Sequence, residues 1–114
     1  MAEEVRAPNR QAGVALIRRL AHARRLFITG KAQQDMETAE YDADDVCECL
    51  SQVDVVDVHK DEPDENVSDR RVFVFRRTLA GQELYVKVSL RLERDHDLTV
   101  LSFKRWGKIG RAHV

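Results

Sequence analysis

The chain has 114 residues, a net charge of −1, 43% hydrophobic and 34% charged side chains; this is apolar material enough for one core, in a chain too short for two. Cys47 and Cys49 are its only cysteines and stand too close together for an ordinary structural disulfide, so a disulfide scaffold is excluded and reduced thiols are expected. No apolar run approaches the roughly 20 residues of a membrane span, and residues 1–13, with Glu3, Glu4, Arg6 and Arg10, lack the apolar centre of a secretory signal; the expectation is one cytoplasmic domain over 1–114, with 1–9 and 106–114 as tails.

From Asn9 to Arg25, Val14, Ile17, Leu20 and Ala21 recur at spacings of three and four among arginines, the pattern of an amphipathic helix. Thr29 can cap a short second helix over Lys31 to Thr38. Asp42 caps a third from about Ala43 to Gln52, with Asp44 and Asp45 in the first turn and Val46, Cys49, Leu50 and Val53 at helical spacing. Beyond Val53 the period falls to two, predicting a peripheral strand from Val55 to Lys60, and the acidic stretch Asp61 to Asp69, with Pro63, reads as a loop.

Three strands follow, Arg70 to Arg77, Glu83 to Leu92 and Leu98 to Arg105, separated by Thr78–Gln82 and by the polar tip Glu93–Asp97. Both separators suit hairpins, so the strands form an antiparallel meander. The whole is an α+β fold, N-terminal helices packed on one face of a mostly antiparallel sheet of three to four strands. In the middle strand Leu84, Val86, Val88, Leu90 and Leu92 point to the helices, and Tyr85, Lys87, Ser89 and Arg91 point away. The last strand does not settle its own orientation, because Lys104 and Ser102 share parity with Val100 and Leu98. Trp106, just past it, is expected as an edge anchor against the core.

Charge is partitioned along the chain. Residues 1–30 hold six Arg against two Glu, residues 31–68 two Lys against thirteen acids, and residues 69–114 eleven bases against five acids. A basic C-terminal half can attract phosphate, and an acidic middle can meet a basic partner; scattered solvated charge gives the same totals. A sheet face with a tyrosine and several cations has the make-up of an RNA-binding surface, where cations hold phosphates and rings stack on unpaired bases, although Lys and Arg also serve simply to discourage edge pairing.

Cutting RNA without a metal requires a base for the ribose 2′-hydroxyl proton, an acid for the leaving oxygen, and cations for the charged transition state. Tyr85, Lys87, Lys104 and a nearby His59 or Lys60 can cover these roles, with Arg71, Arg76, Arg77, Arg91 and Arg105 as further phosphate contacts. Free phenols and amines titrate near about 10, so proton transfer by such groups at neutral pH relies on neighbouring cations or burial. No metal is expected, because His22, His59, His96 and His113 are scattered and Cys47 and Cys49 diverge on their helix.

The segment Gly81-Gln-Glu-Leu-Tyr-Val-Lys-Val88 with the later Leu98-Thr-Val-Leu-Ser-Phe-Lys104 resembles the C-terminal end of MqsR-type toxins, where "GQ", "Y-aliphatic-K-aliphatic" and "SFK" occupy the last two strands. Upstream, Asp42-Ala-Asp-Asp-Val-Cys-Glu-Cys-Leu-Ser51 with Asp54 resembles the family's acidic cap, cysteine-containing helix and "LS" with a nearby Asp. The resemblance implies a RelE-like fold and the toxin of a bacterial toxin–antitoxin pair, one that arrests growth by cleaving mRNA without a metal and is neutralised by a DNA-binding, MqsA-like antitoxin. By position, Tyr85 matches the family's active-site tyrosine and Lys104 its C-terminal lysine. A family lysine at the start of the first strand falls near His59 or Lys60 after a shift of several residues, and a second-strand glutamine has no counterpart, leaving Arg71 or Arg76 as its substitute. A non-catalytic RNA- or protein-binding module on the same scaffold is the alternative.

Overall fold

The computed structural model describes residues 10–64, 69–91 and 97–106. In chain order these form α1 (Arg10–His22), β1 (Phe27–Ile28), α2 (Gly30–Ala39), α3 (Ala43–Leu50), a 3-10 turn (Val55–Asp57), β2 (Val58–Pro63), β3 (Arg70–Leu79), β4 (Gln82–Arg91) and β5 (Leu98–Arg105). The sheet runs β1-β5-β4-β3-β2, antiparallel throughout except that β1 pairs parallel with β5. The architecture is the expected α+β arrangement with five strands instead of three or four. The extra one is the two-residue β1, too short to leave a periodic signal; Phe27 and Ile28 pair with Thr99 and Val100.

α2 and α3 each start where a side chain satisfies free amides of the first turn. Thr29 Oγ1 accepts from the Ala32 amide at 3.1 Å. Asp42 and Asp45 bond each other's backbone amides at 3.0 Å, a complete capping box. The same chemistry replaces the start of the expected Val55–Lys60 strand by a 3-10 turn, since Asp54 accepts from Val55 and Asp57 accepts from the Asp54 amide. Local capping outcompetes the alternating pattern there, and the edge strand begins only at Val58. It then runs through Asp61, Glu62 and Pro63, which the sequence assigned to a loop; an edge position tolerates Pro63 because its missing N–H faces away from the ladder. α1 stops at His22, short of Arg25, because Arg24 turns left-handed (φ 60°) and the Arg25 amide closes back on the Leu20 carbonyl at 2.8 Å.

One face of the sheet is apolar. Phe73, Phe75, Leu84, Val86, Val88, Leu90, Leu98, Val100 and Phe103 pack with Val14, Ile17 and Leu20 of α1, Met36 of α2, and Val46, Cys49 and Leu50 of α3. Each such fully buried side chain contributes roughly 1.5–3 kcal/mol. α1 sits close to β3 because position 13 is glycine: a Cβ there would lie 2.6 Å from Phe73 Cζ.

Two bulges place the functional side chains. In β5 the register shifts so that Val100 faces Val88 but Ser102 faces Lys87, leaving Leu101 as the extra residue. One extra residue exchanges the faces of everything after it. Leu98 and Val100 therefore enter the core, and beyond the bulge so does Phe103, while Ser102 and Lys104 turn away. In β2 a shift between Val58 and Lys60 likewise breaks the alternation at His59.

Candidate active site

The face away from the helices is organised by β4. Leu84, Val86, Val88 and Leu90 are buried, so alternation turns Tyr85, Lys87, Ser89 and Arg91 outward. Cross-strand partners share a face. β3 thus contributes Arg76 opposite Tyr85, Val74 opposite Lys87, Val72 opposite Ser89 and Arg70 opposite Arg91. β5 sets Lys104 opposite Tyr85 and Ser102 opposite Lys87.

Lys104 Nζ lies 5.6 Å from the centroid of the Tyr85 ring, near enough for its charge to be attracted by the ring quadrupole. Lys104 also borders a recess of about 150 Å³ shared with Arg105 and with Asp35, Thr38 and Ala39 of α2. α2 takes over the edge of β5 where the short β1 ends. Asp35 Oδ2 accepts from the Phe103 amide at 3.3 Å and from Lys31 Nζ at 3.0 Å, and Lys31 also donates to Ser102 Oγ at 3.3 Å. This brace holds the stretch of β5 that presents Lys104.

Trp106 extends this alternation onto the same face. Its ring meets Tyr85 of β4 (centroids 5.6 Å, planes at 44°) and His59 of β2 (4.9 Å, 82°), and the Arg76 guanidinium of β3 lies 4.7 Å from its centroid. Trp106 is therefore a bridge across the polar face and not an anchor against the core. The sequence signal for it was present: it lies two residues beyond Lys104, at the same parity, but that parity became readable only with the Leu101 bulge.

The remaining cations divide between the faces. Arg71, Arg77 and Arg105 pair with Leu90, Leu84 and Leu84 respectively, on the helix side, away from Tyr85. Arg71 bonds Asp61 at 2.7 Å, and Asp61, 7% exposed, also takes Arg10; Arg77 bonds Asp57 at 3.0 Å and Gln52. Arg71 and Arg77 thus bind the fold's own acids, whereas the buried Arg105 Nε has no hydrogen-bond partner among the described residues. On the open face Arg76 pairs with Glu83 (2.8 Å), Arg91 with Asp69 (3.3 Å) and Arg70 with Asp97 (3.0 Å). The Glu83 hydrogen bond raises the pKa of Arg76 further. Among the described residues Lys87 and Lys104 make no ion pair, so no acid of the fold neutralises their charge. Lys60 lies opposite Val74 and so shares this face, and His59 reaches it through Trp106.

Both cysteines are buried and unpaired. Burial pushes the Cys49 thiol up to about 12, and desolvation raises Cys47 as well, which makes them packing residues. Among the described residues no group of three or more His, Cys, Asp or Glu side chains is gathered to hold a metal ion, and no helix is long and apolar enough to cross a membrane. His96 and His113 lie outside the described residues.

Compared with known proteins, residues 12–105 match the family model described as motility quorum-sensing regulator, toxin of MqsA. No curated protein and no solved structure matches the chain.

Proposed function

Because the chain belongs to the MqsR toxin family, whose model matches residues 12–105, and is thereby the toxin partner of an antitoxin, we propose that it acts as a metal-independent endoribonuclease that cleaves mRNA and arrests growth. The observation that carries this reading is the cross-strand pair of Tyr85 and Lys104 on an open face, with Lys87 one pair further along.

The chemistry runs as an internal displacement. The ribose 2′-oxygen loses its proton and bonds to the adjacent phosphorus, the P–O5′ bond breaks, and the departing 5′-oxygen gains a proton. The products are a 2′,3′-cyclic phosphate and a 5′-hydroxyl end. Lys104 and Lys87 stabilise the extra negative charge on the phosphoryl oxygens. Tyr85, cross-strand from Lys104 and two residues before Lys87, carries a proton or hydrogen-bonds the attacking ribose through its hydroxyl. His59 and Lys60, on β2 and two strand spacings or about 10 Å from β4, serve neighbouring parts of the strand, as does Arg91. Arg76, held by Glu83, adds its charge beside the strand. The antitoxin, a DNA-binding protein by the family pattern, neutralises the toxin by binding it.

The test incubates the purified chain with single-stranded RNA in EDTA, beside Tyr85→Phe and Lys104→Ala, and identifies the new ends. Fragments ending in cyclic phosphate with wild type, reduced at least about 100-fold in both variants, are the expected result. Undiminished cutting by both variants overturns the assignment. Retained RNA without new ends identifies a binding module instead, and dependence on a divalent ion overturns the metal-free chemistry.

A further inference from the structure

Trp106 lies one residue beyond the stretch that matches the family model, yet it contacts three residues of the open face on three different strands. A tryptophan gains most from burial in a core. This ring instead stays partly exposed on a polar face, with two aromatic neighbours and a guanidinium over one of its faces at 4.7 Å, which leaves the other face for a base. Arg76 is itself fixed by Glu83 at 2.8 Å, so the ring is held in place without belonging to the core. A rigid ring with cations beside it is the arrangement that single-stranded nucleic acid uses: phosphates pair with Lys or Arg while bases stack on the π-face.

We propose that Trp106, flanked by His59 and Arg76, is the stacking platform for an unpaired nucleobase next to the phosphate held by Tyr85 and Lys104. This rests on the reading of the open face as an RNA surface. The 5.6 Å between the Tyr85 and Trp106 rings puts the base beside the reacting ribose, so stacking orders the strand before the 2′-oxygen attacks. Every base has a π-face, but purines stack more strongly, and duplex RNA has no base to offer.

Trp106 is the chain's single tryptophan, so its emission reports the site directly. Wild-type protein is titrated with a short single-stranded oligonucleotide carrying 2′-O-methyl riboses, which blocks the attacking oxygen, and with the same oligomer made abasic or annealed to its complement. Binding is followed separately through a dye on the oligomer. The expected result is saturable quenching by the single strand, weaker binding of the abasic and duplex forms, and a Kd raised about 10-fold by Trp106→Ala but little by Trp106→Phe. Binding that leaves the emission unchanged overturns the stacking role. Tighter binding or faster cutting by Trp106→Ala also overturns it, since the ring would then be a cover. Cleavage by wild type without quenching leaves the ribonuclease standing and removes only the platform. Quenching without cleavage keeps the platform and removes the ribonuclease, and an oligomer that does not bind at all removes both.

Discussion

Lys104 and Tyr85 face each other across β4 and β5, with the ammonium 5.6 Å from the ring centroid, although the two residues are 19 positions apart in the chain. In the proposed reaction they serve one phosphodiester, which predicts that they behave as a unit. Tyr85→Phe removes only the hydroxyl and keeps the ring contacts with Lys104 and Trp106. The double variant Tyr85→Phe/Lys104→Ala is therefore expected to be no more than about 10-fold slower than the slower single variant, because groups that serve one transition state are not additive. Single-turnover cleavage rates of the four proteins check this, and fully multiplicative losses would mean two separate sites.

The two faces of the sheet separate binding from stability. Lys87 makes no ion pair among the described residues, whereas Arg71 holds the largely buried Asp61. Lys87→Ala should weaken RNA binding and lower the slope of log K against log salt by about 0.7, the value for one phosphate contact on a single strand. Arg71→Ala should leave that slope unchanged and instead destabilise the fold by about 1–3 kcal/mol, since it leaves the largely buried Asp61 with the longer Arg10 contact in place of two. Salt titrations and urea unfolding of both variants give the comparison.

Gly13 lets α1 lie against Phe73. A methyl group at this position would meet the ring at 2.6 Å, so Gly13→Ala should destabilise by about 1–3 kcal/mol despite alanine's better helix propensity. Combining it with Phe73→Leu should cost less than the sum of the two single changes, because the clash and its partner are removed together. Urea midpoints of the singles and the double decide it.

The β3–β4 hairpin turns through Ala80 and Gly81, both with positive φ (52° and 81°), between the paired residues Leu79 and Gln82. Such a two-residue turn favours glycine or asparagine at both places, and alanine there is strained by roughly 1 kcal/mol. Ala80→Gly is expected to stabilise by about 0.5 kcal/mol after the entropy of the unfolded glycine is counted. A higher urea midpoint with an unchanged m-value is the signature.

Cys49 is 1% exposed and its thiol is pushed from the ordinary 9.0 to about 12 by burial. The folded chain should therefore resist thiol reagents at pH 8 at this position. In the unfolded chain the thiol ionises near its ordinary value, so protons are lost there first and stability should fall as pH rises from about 9 towards about 12. Cys49→Ala should remove that part of the alkaline loss, measured by urea unfolding at pH 8 and pH 10.

The helices were legible because their signals are local. Thr29 and Asp42 cap the amides within their own first turn, and the three-and-four spacing of Val14, Ile17 and Leu20 is the helical period itself. The polar face of β4 was legible for the same reason, since Tyr85 and Lys87 alternate with residues that have to be buried. Sequence alone therefore determined the α+β class, the meander and the tyrosine-bearing face.

Only the tertiary structure decided which other side chains join that face. Whether β5 carries a bulge depends on how Leu98, Val100 and Phe103 all reach the core at once, which is a packing requirement across strands. Satisfying it at Leu101 is what turns Lys104 and Trp106 towards Tyr85. Likewise Arg71, Arg77 and Arg105, indistinguishable from Arg76 by residue type, fall on the helix side because each pairs with a leucine bound for the core. Parity along a strand is local, but its origin is set by the neighbouring strand, and no run of residues carries that information by itself.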